Sequence, residues 1–172
     1  MAGIVVSPGE GKSVQLGGLG VEFKLLAEQT GGGFALVEHP ISPRTLAAPP
    51  HRHHNEDEAS YVLEGSIAVE IGNDVMRASA GTLVFKPRGI YHTFWNESTE
   101  PARILEIISP AGFEKYFEEV ATLAEMGVPP DDPRRRVLAS KYNVDFDRSR
   151  VMELVQKYNL AMPSAPRQAD PR

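Results

Sequence analysis

Short apolar stretches separated by glycine and proline recur through the first two thirds of this chain. That rhythm restricts the fold more than any other feature. The stretches are residues 21–26, 34–38, 59–63, 67–71, 82–85, 92–95 and 103–108. Between them stand Gly31-Gly32-Gly33, Pro49-Pro50, Glu64-Gly65, Gly72-Asn73, Ala80-Gly81 and Pro87-Arg88-Gly89. Many short strands at this spacing predict a mainly β sandwich or barrel. Gly72-Asn73-Asp74 suits a tight hairpin turn, since these residues tolerate positive φ. No internal repeat or low-complexity tract interrupts the pattern.

The last third changes character. Phe113, Phe117, Val120 and Ala124 form a helical stripe, with Glu114, Lys115, Glu118 and Glu119 off it. Gly127 and Pro129-Pro130 stop that helix. Asp132 followed by Pro133 predicts an N-cap and first-turn proline for a second helix running to about Tyr142. Val151, Leu154, Val155 and Tyr158 mark a third. The chain therefore divides into a β domain over 1–110, a helical extension over 111–162 and a loose tail over 163–172. The extension is expected on the barrel surface or at a subunit interface.

Composition removes several functions. The chain has no cysteine, which excludes disulfides, zinc–thiolate sites, iron–sulfur clusters and cysteine nucleophiles. Any metal must sit on imidazole nitrogens and carboxylate oxygens. The net charge of -5 argues against a nucleic-acid partner, which needs clustered Lys and Arg. The one basic run, Arg134-Arg135-Arg136, reads as a solvated helix face. No basic segment followed by a long apolar stretch opens the chain, and no apolar run approaches membrane-spanning length. A cytoplasmic protein without a membrane partner is expected.

Three of the five histidines fall in one pattern. In Pro50-His51-Arg52-His53 a strand would turn both imidazoles to one face and Arg52 and His54 to the other. Glu58 can return to the ligand face after a bend at residues 55–57. Farther on, Pro87 and Gly89 make a turn that starts a strand carrying His92. Three imidazoles and one carboxylate can hold one divalent transition metal (Fe, Mn, Ni, Cu, Co or Zn) and leave positions open for a substrate.

These two stretches resemble the two cupin motifs. The first is similar to G-x5-H-x-H-x(3,4)-E-x6-G, matched at His51, His53, Glu58 and Gly65; Thr45 stands where its leading glycine is expected. The second is similar to G-x5-P-x-G-x2-H-x3-N, matched at Gly81, Pro87, Gly89, His92 and Asn96. The detailed wording resembles small quercetin-dioxygenase-like cupins. The resemblance implies a double-stranded β-helix jelly-roll barrel, a metal inside it and a homodimer. It also implies a metal-dependent oxygenase acting on a small organic molecule, with Glu58 serving as both ligand and catalytic base. A small-molecule binding or sensing barrel, and a non-redox isomerase or decarboxylase, remain alternatives, because one architecture hosts many chemistries.

Strand parity places Ser60 and Val62 on the Glu58 face and Phe94 on the His92 face, as candidate pocket walls. His54 is expected at the surface, His39 as structural, and Glu56 and Asp57 as solvated loop charges. Asn96 is expected to fix local backbone, and Gly65, Gly81 and Gly89 to make turns. Tyr61, Leu63, Tyr91 and Trp95 fall on the outer faces and need covering by the helices or a second copy. No cationic pocket is evident, though Arg44, Arg52, Lys86 and Arg88 are available.

Overall fold

The computed structural model describes residues 3–162; the tail expected over 163–172 lies outside them. Two antiparallel sheets face each other. One runs in the order β1 (Ser13–Leu16), β2 (Leu19–Leu25), β3 (Ala35–Ile41), β11 (Ala102–Ser109), β6 (Asp57–Glu64) and β9 (Leu83–Lys86). The other runs β12 (Val144–Phe146), β5 (His51–His53), β10 (His92–Asn96), β7 (Ser66–Ile71) and β8 (Asp74–Ser79), with β4 (Thr45–Leu46) also on β10. The helices are α1 (Ala27–Thr30), α2 (Glu114–Glu125), α3 (Pro133–Lys141) and α4 (Val151–Tyr158). The fold is the mainly β double-stranded barrel with C-terminal helices.

All seven apolar stretches are strands, and the hairpin at Gly72-Asn73 joins β7 to β8 with Ile71 opposite Asp74. Alternation does the sorting: in β11 the residues Ala102, Ile104, Glu106 and Ile108 are buried and their neighbours half-buried. Three short strands, β1, β4 and β12, were not expected from the pattern, because none contains an apolar run. Thr45, at the missing motif glycine, is buried in β4, and the left-handed turn falls on Arg44 instead (φ 51). Gly65 does need its type: its φ is 67, and a Cβ there would meet the Pro101 carbonyl oxygen at 2.7 Å.

The core has an apolar half and a half shared with the C-terminal extension. Leu19, Ile41, Val62, Ile67, Val69, Phe94 and Ile104 fill the first. In the second, Val21, Phe23, Val37 and Ile108 of the barrel pack on Phe113, Tyr116, Val120 and Leu138 of the extension. Asp132 caps α3 by accepting from the Arg134 N–H at 2.9 Å, and Gly127 closes α2 with φ 73. α4 lies over the outer face of β10, where Trp95 is fully buried with its ring 4.5 Å from that of Tyr158.

Glu114 departs from expectation. It sits off the apolar stripe in sequence yet is fully buried. Its carboxylate accepts from the Ala27 N–H at 3.0 Å and from the Gly112 N–H, so it ties α1 to the start of α2. Tyr61 and Tyr91 remain exposed, Leu63 is half-buried, and of the four outer-face residues Trp95 alone is buried.

Candidate metal centre and its cavity

β5 and β10 pair so that His51 lies directly opposite His92. His53, two residues along β5, faces the same way, and both β5 imidazoles are buried. Glu58 arrives from the other sheet, on β6, between Ile108 of β11 and Lys86 of β9. The four side chains each offer one ligand-type atom, and these atoms lie within 4.8 Å of one another. His53 Nε2 is 3.4 Å from Glu58 Oε1, and His92 Nε2 is 3.1 Å from Glu58 Oε2.

The outward nitrogens are held too. His51 Nδ1 donates to the Pro49 carbonyl at 2.9 Å, and His92 Nδ1 to the Ile90 carbonyl at 3.2 Å. Those bonds leave the Nε2 lone pairs facing the centre, the tautomer a metal ligand requires. His53 Nδ1 faces Glu56 at 3.6 Å, beyond hydrogen-bond reach, and neither ring nitrogen of His53 has a hydrogen-bond partner. A buried imidazole without partners is costly. A cation among the four residues would satisfy Nε2, so the donor set fits a divalent transition metal.

Glu56 is therefore no solvated charge: it is buried behind His53. Asp57 accepts from the Arg88 backbone at 2.8 Å and from its guanidinium at 2.7 Å, pinning the turn that precedes His92. His54 is exposed and bonds Asp145 at 2.8 Å. Asn96 donates to the Glu100 carbonyl at 2.7 Å and accepts from the Ser98 N–H at 2.9 Å, a backbone role.

Two further charged residues stand at the centre: Lys86, one of the cations the sequence makes available, and Glu106, to which the sequence assigns no role. Lys86 is buried, with Nζ 3.0 Å from Glu58 and 2.7 Å from Glu106. Glu106 also accepts from the Ser60 hydroxyl at 2.7 Å. Burial works to raise Glu58, but Lys86, His53 and His92 outweigh it and hold the carboxylate well below its ordinary range. Burial pushes Glu106 up to about 7; Lys86 opposes this and the Glu58 charge adds to it. Burial also lowers His51 far below its ordinary value, reinforced by His92 and His53, and lowers His92. Both are neutral, as ligation requires.

A cavity of about 370 Å³ opens on the centre through His51 and Glu58. Its walls include Phe94, Phe113, Phe117, Tyr116 and Val120, so α2 builds one side. Phe94 is at the wall as parity indicated. Ser60 and Val62 are not: Ser60 is turned to Glu106, and Val62 is packed in the apolar core. His39 is structural in its Nδ1 bond to the Gly20 carbonyl at 2.9 Å, and it also lines the cavity.

Residues 38–108 match the family model described as Cupin domain. The matched stretch, less than half of the chain, is similar to a cupin domain. An uncharacterized protein of Streptomyces coelicolor is 33% identical over 57 residues, which are 33% of this chain and 53% of that protein. The match thus spans about half the length of that curated relative. The structure of KdgF from Halomonas sp. aligns with a TM-score of 0.58 at 17% identity, over 66% of this chain and 99% of that one. A structure described as a predicted oxalate decarboxylase from Thermotoga maritima gives 0.59 at 18% identity, over 62% and 99%. At these identities the likeness establishes the cupin barrel and nothing finer. No helix among the described residues is long and apolar enough to cross a membrane.

Proposed function

We propose that this cupin is a metal-dependent enzyme of small-molecule chemistry, an oxygenase that holds one divalent transition metal through His51, His53, Glu58 and His92. The observation that carries the reading is the convergence of three imidazoles and one carboxylate where a largely apolar cavity reaches His51 and Glu58. Such a metal, when bound, supplies open coordination positions for substrate oxygens and O2. The chain's own part is positional. The Pro49 and Ile90 carbonyls aim two imidazoles, Lys86 keeps Glu58 ionised, and Phe94 and Phe113 exclude water. Glu58 is the base: its carboxylate takes a proton from a substrate hydroxyl within hydrogen-bond reach.

A second reading, a non-redox isomerase or decarboxylase, is favoured by Glu106. It lines the cavity and has one buried carboxylate oxygen without a partner. Raised to about 7, it can carry a proton at that oxygen and deliver it to a bound substrate.

Metal-reconstituted protein screened with enediols, flavonols and diketones separates the two. Oxygen uptake that Glu58→Gln abolishes supports the oxygenase. Turnover that continues without O2 supports the second reading. Full activity in Glu58→Gln, with metal retained, contradicts Glu58 as the base.

The proposal includes a homodimer, supported by the outer face of β6 and β9. Tyr61, Leu83 and Phe85 are 41%, 59% and 57% exposed there, side by side on paired strands.

A further inference from the structure

The cavity that reaches His51 and Glu58 also reaches two guanidiniums, Arg135 of α3 and Arg148 of the loop before α4. Six of the other eight described arginines are matched to carboxylates, the exceptions being Arg44 and Arg136, which do not line the cavity: Arg52 pairs with Asp145, Arg77 with Glu97, Arg88 with Asp57 and Arg103 with Glu38. Arg134 pairs with Asp132 and Arg150 with Glu70. The two cavity arginines have no such partner among the described residues. Arg135 donates Nε and Nη2 to the Val128 carbonyl at 3.1 and 2.8 Å. Arg148 lies over the ring of Phe146, 5.3 Å from its centroid, and Phe146 is itself at the cavity wall. Asp131 also lines the cavity and forms no ion pair with either among the described residues.

Both arginines share the cavity with Tyr116, where burial raises the phenol to about 12 and their charges oppose it. Burial lowers Arg135 from its ordinary value, and the charge of Arg148 adds to that. Like charges gathered at one apolar opening are stabilised by an anion that bridges them. The same cavity has aromatic walls: Phe94, Phe113, Phe117 and Tyr116. Aromatic walls of this kind favour a flat ring by offset or edge-to-face contact.

We infer that the substrate is a small aromatic carboxylate, its ring among Phe94, Phe113 and Phe117 and its carboxylate on Arg135 and Arg148. The contact of its other end with His51, His53, Glu58 and His92 rests on the metal reading above. The carboxylate contact does not. The volume is that of a small-ligand site, within the usual range of roughly 300–1,000 Å³.

The test uses 3-phenylpropanoate and its neutral amide, 3-phenylpropanamide, titrated calorimetrically into the full chain at low salt. The protein is first freed of metal with chelator and dialysed, so the acid's carboxylate has no metal to coordinate and the arginines are measured alone. The acid is expected to bind about tenfold more tightly than the amide, the effect of one charge-assisted contact. Arg148→Gln and Arg135→Gln are each expected to remove most of that preference and leave the amide unchanged. Arg148 is exposed, so its variant tests the arginine site without disturbing the fold. Equal affinity for acid and amide, no binding of either in the millimolar range, or an acid preference untouched in both variants would overturn the inference. Metal content measured on separate protein, before stripping and after anaerobic addition of Fe(II) or Mn(II), separates the two readings. Acid preference in a protein that takes up no metal leaves the arginine site standing and removes the centre; metal uptake without acid preference does the reverse.

Discussion

Lys86 is the residue on which the charge balance of the centre turns. It is 1% exposed and lies within 3.0 Å of two carboxylates, Glu58 and Glu106. Removing one member of a buried ion network leaves the rest uncompensated, at a cost of about 3–5 kcal/mol. Lys86→Met is therefore expected to lose that much in chemical denaturation of metal-free protein; a loss below about 1 kcal/mol would be typical of an exposed pair and would contradict its burial. His39 gives a second prediction at this scale. Burial holds it down to about 4, against 6.5 for a free imidazole. A base depressed in the folded state contributes stability above its unfolded value. That stability is lost as pH falls from about 6.5 towards about 4, because the unfolded chain takes up the proton first. The shift corresponds to about 3 kcal/mol. His51 and His92 are lowered by burial too, so the comparison must be with His39→Asn. The variant should lose less stability between pH 7 and pH 4 than the parent; an equal loss would show that His39 titrates normally.

At the scale of elements, the C-terminal segment is part of the site. β12 adds a strand to the edge of β5, with Val144 opposite His53 and Phe146 opposite His51. Phe113 stands edge-on to His53 with centroids 4.2 Å apart. α4 covers Trp95, the one tryptophan of the chain, so intrinsic fluorescence reports its seat directly. The parent is expected to show blue-shifted emission resistant to acrylamide, and Tyr158→Ala to shift it red and raise quenching. A parent already open to quencher would contradict the docking of α4.

Strand and helix positions were legible because alternation and 3.6-residue spacing are local properties. The four ligand-type residues were legible because parity and motif spacing act over a few residues. Glu106 could have been found the same way, since it occupies the inward row of β11 between Ile104 and Ile108. Lys86 was harder: on β9 the apolar Leu83 and Phe85 face outward and the lysine inward, the reverse of an ordinary strand. Glu56 was missed because a turn, where parity fails, carries it behind His53. Ser60 and Val62 do share the Glu58 face, but a face toward the barrel interior is not a cavity wall. Arg135 and Arg148 reach the cavity through the docking of α3 and the loop before α4, which no local pattern encodes.

At the scale of the molecule, the barrel and its extension enclose one side of the centre and leave the β6–β9 face open. If that face pairs two copies, light scattering will report a dimer and Phe85→Glu a monomer; a monomeric parent would contradict the pairing. The central claim concerns the four convergent side chains, and elemental analysis tests it most directly. Tag-free protein prepared without chelator is compared with His51→Ala and His92→Ala. The account predicts about one transition metal per chain in the parent, as for a single mononuclear site, and little in either variant. A parent that holds no metal, even after anaerobic addition of Fe(II) or Mn(II), would contradict it and leave a ligand-binding barrel.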